Sequence, residues 1–476
     1  MRKGVLTVFL SLTITIMLSL ILALLQNARI GAVRMKAECA ADIAMHSVLA
    51  EYNRALFEQY DLLMVDCSYQ TASPSMAAVE EHLRYFLQGN FDRTTAGRLI
   101  GTRTMTAERC AAAVIPAYSF ATDGGNAVLR RQILAYMEGE AVTKALLDAS
   151  ANLDVLSAHG YDTHDVEKEA EENRKRLEEI DIPEQEDADG EEREPIPDNP
   201  ADAVESQKGI GVVSLAVPNP EDISARAFDP SVYTSHRAKN SGTGLKEEVQ
   251  EGMTESFLIQ QYMLEKTGCY TKPRDDSYLR YQQEYLIAGK NNDYDNLEHC
   301  ARILLFWREA ADLAYLRTDS AKVAEVEAVA AVISALLLCP ELEVPLKWSM
   351  IFAWSFAEAI NDMRILYKGG RVPLVKTADT WRISFANLAF FRDHLDGSSN
   401  ARGLTYEDYL RMLLLLQKME DKTDRMCDLI EMDVRQTPGN EHFRLDWCLD
   451  AFEADITVTG SPGCTVRMVR TCGYEE

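Results

Sequence analysis

The chain has 476 residues and a formal net charge of −26, with 75 acidic side chains against 49 Lys and Arg. A balance this acidic excludes a nucleic-acid partner, because binding phosphates takes a basic face. Hydrophobic residues make up 47% of the chain, enough for large buried cores and two or three domains.

The first element decides the most. From Gly4 to Ala28, in "KGVLTVFLSLTITIMLSLILALLQNAR", no residue is charged. At about 1.5 Å per residue such a helix crosses a hydrocarbon core of about 30 Å. A secretory signal has a shorter apolar stretch and a small-residue cleavage site, whereas this run ends Leu25-Gln26-Asn27-Ala28-Arg29. The expectation is a retained anchor over residues 1–28. Basic residues flank it on both sides, Arg2 and Lys3 before it and Arg29, Arg34 and Lys36 after it, so the charge bias alone does not orient it.

Apolar residues then recur at three- and four-residue steps (Val33, Ala37, Ala40, Ala44, Val48), which predicts that the helix continues amphipathically to about Gln59. On this stalk Ala37, Ala40, Ala41 and Ala44 form a stripe of small residues. A neighbouring helix can approach such a stripe closely, so it is a candidate interface between helices. A turn and short strand are expected at "YDLLMVDCSY" and a helix over 75–90. The stretch 103–125 fits either strand or helix, and another helix is expected from Asp123, with that residue as its cap.

Residues 161–210 change character. Asp and Glu far outnumber Lys and Arg there, and prolines stand at 183, 195, 197 and 200, so the tract is expected as a linker, with a solvated helix in its first part. Beyond it, a helix before Gly268, a strand through the alternating Leu279, Tyr281, Gln283, Tyr285 and Ile287, and a long helix capped by Asn292 with Asp295 are expected. The runs Val329–Cys339 and Trp348–Ala357 are too short to span a bilayer and read as a buried helical hairpin parted by Pro340 and Pro345. A last long helix opens on Thr405 and Asp408, a capping-box pair, and two strands flank Gly460-Ser461-Pro462-Gly463.

The fold class predicted is α+β, mainly helical. It comprises an anchor (1–28), a stalk helix with a first α+β portion (29–160), an acidic linker (161–210) and a mainly helical domain ending in a β-hairpin (211–476). No phosphate loop, H-E-x-x-H or G-x-S-x-G occurs. No catalytic, cofactor-binding or metal-binding residue is assigned, and no small-molecule substrate is identified. Glu358 and Asp362, four apart beside Arg364, read as a paired structural network and less well as a catalytic carboxylate pair. The ten cysteines lack C-x-x-C spacing; Cys448, Cys464 and Cys472 leave a disulfide open if the domain is extracytoplasmic.

The order of features resembles an uncharacterised bacterial family of single-span proteins similar to the TadE/TadG-like minor pilins of tight-adherence pilus loci. "KGVLTVFLSL", "AECAADIAMHSVLAEYNRALFEQYDLLMVD", "YLIAGK", residues 307–316, "GGRVPLVKTADTW" and "GLTYEDYLRMLLLLQK" carry the likeness. The resemblance implies a cell-membrane protein with its N-terminus in the cytoplasm and its bulk outside. Its role would be that of a non-enzymatic accessory or minor pilin-like component with protein partners in a Tad-like pilus or secretion assembly. Gly4 before an apolar helix is similar to a prepilin site, but where pilins carry Glu at the fifth position after that Gly, this chain has Phe9. The alternative from another class is an envelope-anchored hydrolase whose site is not a local motif.

Overall fold

The computed structural model describes residues 2–92, 108–181, 198–246, 252–461 and 463–474. The chain forms two compact units that interleave along the sequence. The first comprises Met1–Glu138, Val232–Glu251 and Ile430–Glu476, and the second Gly139–Ser231 and Gly252–Leu429. The expected order of consecutive domains is therefore replaced. The C-terminal hairpin builds its core with the N-terminal helix, because neither apolar face is covered by the residues next to it in sequence.

In the first unit, α1 (Arg2–Leu49) is followed by α2 (Arg54–Tyr60), the short strand β1 (Val65–Asp66), α3 (Met76–Asp92), β2 (Arg109–Phe120) and α4 (Asp123–Tyr136); the hairpin β3 (Cys448–Gly460) and β4 (Cys464–Gly473) completes it. The stalk helix stops ten residues before the expected Gln59. Asn53 takes an extended conformation and its side chain accepts the Leu56 N–H, so a new helix is capped where the old one ends. Of the ambiguous stretch 103–125, Arg109–Phe120 is strand, and 103–107 lie outside the described residues. β3 is the spine of the sheet and pairs antiparallel with β1, β2 and β4, placing Phe452 opposite Tyr118 on one side and Cys472 on the other. The register of β2 shifts between Val114 and Ala117, around Pro116, which has no N–H to give a ladder.

Asp123 does not cap the helix that follows it. Gly124, Gly125 and Asn126 all have positive φ, and the Asp123 carboxylate instead accepts the N–H groups of Phe120 and Gly242. The disulfide left open among Cys448, Cys464 and Cys472 is absent: all ten cysteines are free thiols.

The second unit is helical: α5 (Lys144–Ala158), α6 (Val166–Glu178), α7 (Pro200–Lys208), α8 (Val212–Ala216), α9 (Met253–Lys266), α10 (Gln282–Ala288), α11 (Asp293–Thr318), α12 (Ser320–Leu336), α13 (Glu343–Tyr367), α14 (Tyr406–Leu416) and α15 (Met419–Arg435), the last continuing past Leu429 into the first unit. The expected acidic linker is in part packed helix. On α6, Asn173 is buried and donates to the Pro345 carbonyl of α13, and α7 starts at Pro200 with Asn199 as its cap. The centre of that tract, 182–197, lies outside the described residues.

The expected strand at 279–287 is instead the helix α10. Its residues Gln282 to Ile287 are all buried, so the side chains that alternation would send to solvent find polar partners inside. The cap of α11 is as predicted, Asn292 accepting the Asp295 N–H and donating to its carboxylate. α12 and α13 form the hairpin, with Pro340 opening a short 3-10 turn between them. The long helix expected after Thr405 is two helices, broken at Gln417 and Lys418.

Candidate functional site

Three arrangements bear on function, and each is built within one unit. The first is α1 itself. Its large apolar side chains from Leu6 to Leu25 are 53–68% exposed. Val33 is the first fully buried residue, and from there the helix joins the core. The four alanines proposed as a helix interface lie in that core: Ala37, Ala40, Ala41 and Ala44 pack with Val79, Leu83 and Leu87 of α3 and with Phe452, Ala454 and Ile456 of β3. That expectation is corrected. A stripe of small residues lets any helix or sheet approach closely, and here the chain's own α3 and sheet do so.

The second is a buried ionic network in the second unit. Arg308 of α11 reaches Asp362 at 2.7 Å and Asp312 at 3.0 Å; Lys376 reaches Glu358 at 2.6 Å and Asp362 at 2.8 Å. All five side chains are at most 1% exposed. Glu358 also accepts the N–H groups of Arg382 and Ile383, while Arg308 donates to the carbonyls of Pro373 and Leu374. The predicted pair Glu358 and Asp362 is thus in a network, but its cations are Arg308 and Lys376; Arg364, the neighbour in sequence, takes no part. Burial, and after it the three carboxylates, act on Lys376 in opposite senses; the carboxylates prevail and hold its ammonium charged. Burial drives the Asp312 carboxyl well above its usual range against the pull of Lys376. Burial raises the Glu358 carboxyl as well, again against the pull of Lys376.

The third was invisible as a motif. Cys269 and Lys272 exchange backbone hydrogen bonds, so Tyr270 and Thr271 form the tip of a tight turn. The Tyr270 N–H and the Tyr406 hydroxyl both donate to Glu284 Oε1, each at 2.9 Å. Glu284 Oε2 is buried and has no hydrogen-bond partner among the described residues. Burial raises the Glu284 carboxyl to about 7, the two donors offsetting only part of that, and no cation acts on it. Glu284 itself lines no cleft, but its two donors do: Tyr270 and Tyr406 each line one of two clefts that share Thr271 and Gly369. One of about 560 Å³ runs past Tyr270, Tyr281 and Tyr367, the other of about 360 Å³ past Tyr406.

Gly369 sets the floor of both clefts. It has φ +78°, its N–H bonds the Leu366 carbonyl and the Gly370 N–H bonds that of Ile365, a Schellman ending that turns the chain sharply after Lys368. The sequence signals that might have revealed this site were the two glycines and the tyrosine density around 270–285. Neither has the fixed spacing of a motif.

A family model described as a family of unknown function (DUF5702) matches residues 190–460. No curated protein and no solved structure matches the chain. The ionic network, Glu284 and both clefts all fall inside the matched residues, and α1 falls outside them.

Proposed function

The chain belongs to DUF5702, and from that premise we propose that it is a single-pass, membrane-anchored protein of the cell envelope that acts by binding other envelope components. The observation that carries this reading is the division of α1: an exposed apolar half long enough to cross a bilayer runs without interruption into a half locked in the core of the first unit. A helix anchored at both ends in this way holds the first unit close to the membrane surface. We place the N-terminus in the cytoplasm and the bulk outside. The finer reading, an accessory or minor pilin-like component of a Tad-like assembly, is supported by the sequence likeness of the N-terminal region, with Phe9 as its departure.

Membrane isolation followed by carbonate extraction and N-terminal sequencing tests the anchor. The protein should resist extraction and begin before Leu25. Release into the soluble fraction, or a start beyond residue 25, would sink the reading. Protease added to intact cells should degrade the units if they lie outside. Glu284, a buried carboxyl beside a cleft, is the one observation that favours the envelope-anchored hydrolase instead. A turnover lost in Glu284→Gln with the fold intact would decide for that alternative.

A further inference from the structure

We propose that the larger cleft beside Glu284 binds a saccharide carrying an anionic group, carboxylate or phosphate. This rests on the second unit alone and stands or falls independently of the anchor. Its walls are tyrosine: Tyr270 meets Tyr281 and Tyr367 at ring-centroid distances of 5.5 and 5.2 Å. Tyr281 and Tyr367 are buried and back Tyr270, whose half-buried ring is the one that can take the C–H side of a sugar ring, an apolar surface within a polar molecule.

Charge selects the rest. Arg280 and Lys368 line the same cleft, both exposed, and neither makes an ion pair within 4 Å among the described residues, Lys368 acting on Asp396 from farther off. That is unusual in a chain of net charge −26, where carboxylates are plentiful. A guanidinium and an ammonium at one cleft suit a single anionic group, the guanidinium by its fork of donors. Asp222 lines the cleft too, and an unpaired carboxylate accepts from ring hydroxyls. A stacking face, a hydroxyl acceptor and two cations together describe an acidic sugar better than a bare anion or a neutral one.

The test is calorimetric titration of the full chain, solubilised in a zwitterionic detergent without sugar headgroups, with glucuronate, glucose 6-phosphate, glucose and inorganic phosphate. At least one of the two acidic sugars should bind saturably, at least about tenfold tighter than both glucose and phosphate; whether it is glucuronate or glucose 6-phosphate identifies the anion. The double variant Arg280→Gln/Lys368→Gln, two exposed positions whose change leaves the melting temperature in place, should weaken that binding by about tenfold or more. Tyr270→Leu, which keeps both charges, should weaken it as well. Binding of neither acidic sugar overturns the proposal, as does glucose or inorganic phosphate binding equally well, or affinity unchanged in the charge variant or in Tyr270→Leu.

Discussion

Around Lys376 the second unit buries three carboxylates against two cations, whereas on Glu284 burial and a second buried carboxylate, Asp293, act together with no ion pair among the described residues. Both places are closed to water, yet they behave differently. In the network, opposite charges at 2.6–3.0 Å keep the cations charged, while burial raises the Asp312 and Glu358 carboxyls. At Glu284 two neutral donors share a single oxygen, and the group titrates at about 7. The difference separates two uses of burial. A compensated cluster fixes the mutual positions of α11, α13 and the loop carrying Lys376, and it is costly to break. An uncompensated carboxyl contributes little to positioning and is poised to change its charge near neutral pH, beside the clefts where that change can be felt.

The largest effect should come from breaking the compensated site. Lys376→Met leaves three buried carboxylates facing Arg308 alone and should cost about 3–5 kcal/mol in urea unfolding followed by circular dichroism. A loss below about 1 kcal/mol would mean that the network is not a structural element, and the comparison would collapse.

Glu284→Gln tests the other side. The folded carboxyl ionises near 7 and the unfolded one near 4.5. Its contribution to stability is therefore fully present below pH 4.5 and is lost as pH rises through 7, about 3 kcal/mol in all. Glutamine keeps an acceptor for Tyr270 and Tyr406 and removes the titration, so the variant should overtake the parent in stability at pH 8. Glu309, also raised to about 7 by burial, is present in both proteins, so the difference isolates Glu284. Parallel stability curves from pH 4 to pH 8 would show that Glu284 does not titrate as described.

The first unit supplies an intermediate case. Asp446 is buried, but Arg444, the Asn240 N–H and Arg237 outweigh burial and hold its carboxyl down at about 2. Its stabilisation is present above the ordinary value of 3.8 and is lost as pH falls through 2. Asp446→Asn should cost about 2 kcal/mol at pH 7 and only a small fraction of that at pH 2, read from thermal melts at both values. The smallest effect concerns the helix that presents Tyr406 to Glu284. Thr405 and Asp408 form a reciprocal capping box at its start, and Thr405→Ala should cost about 1 kcal/mol by the same melts. A neutral result there would leave α14 held by packing alone.

Local features were legible in advance where their chemistry is local. The caps at Asn292 and Thr405, the helical hairpin around Pro340 and the closing β-hairpin need only residues within a few positions of one another. The strand expected at 279–287 failed because a period of two distinguishes an exposed face from a buried one, and α10 has no exposed face: Gln282 donates nothing to solvent but accepts the Gly268 N–H, Gln283 reaches the Thr267 carbonyl, and Glu284 takes Tyr270 and Tyr406. The alanine stripe failed for a related reason. Small residues announce close approach without saying by what.

By itself the sequence determined the apolar first helix, the mainly helical class with a terminal hairpin, and the start of most helices, because hydropathy, periodicity and capping act between near neighbours. Tertiary structure alone decided that Lys376 and Arg308 would neutralise Glu358 and Asp362, that residues 430–476 would complete a unit begun by α1, and that Glu284 would be buried without a cation. These depend on dehydration and on partners far away in sequence, 14 positions for Lys376 with Asp362 and 426 for Cys472 with His46, and the energy of a buried charge is set by what surrounds it in space, which no window of sequence contains.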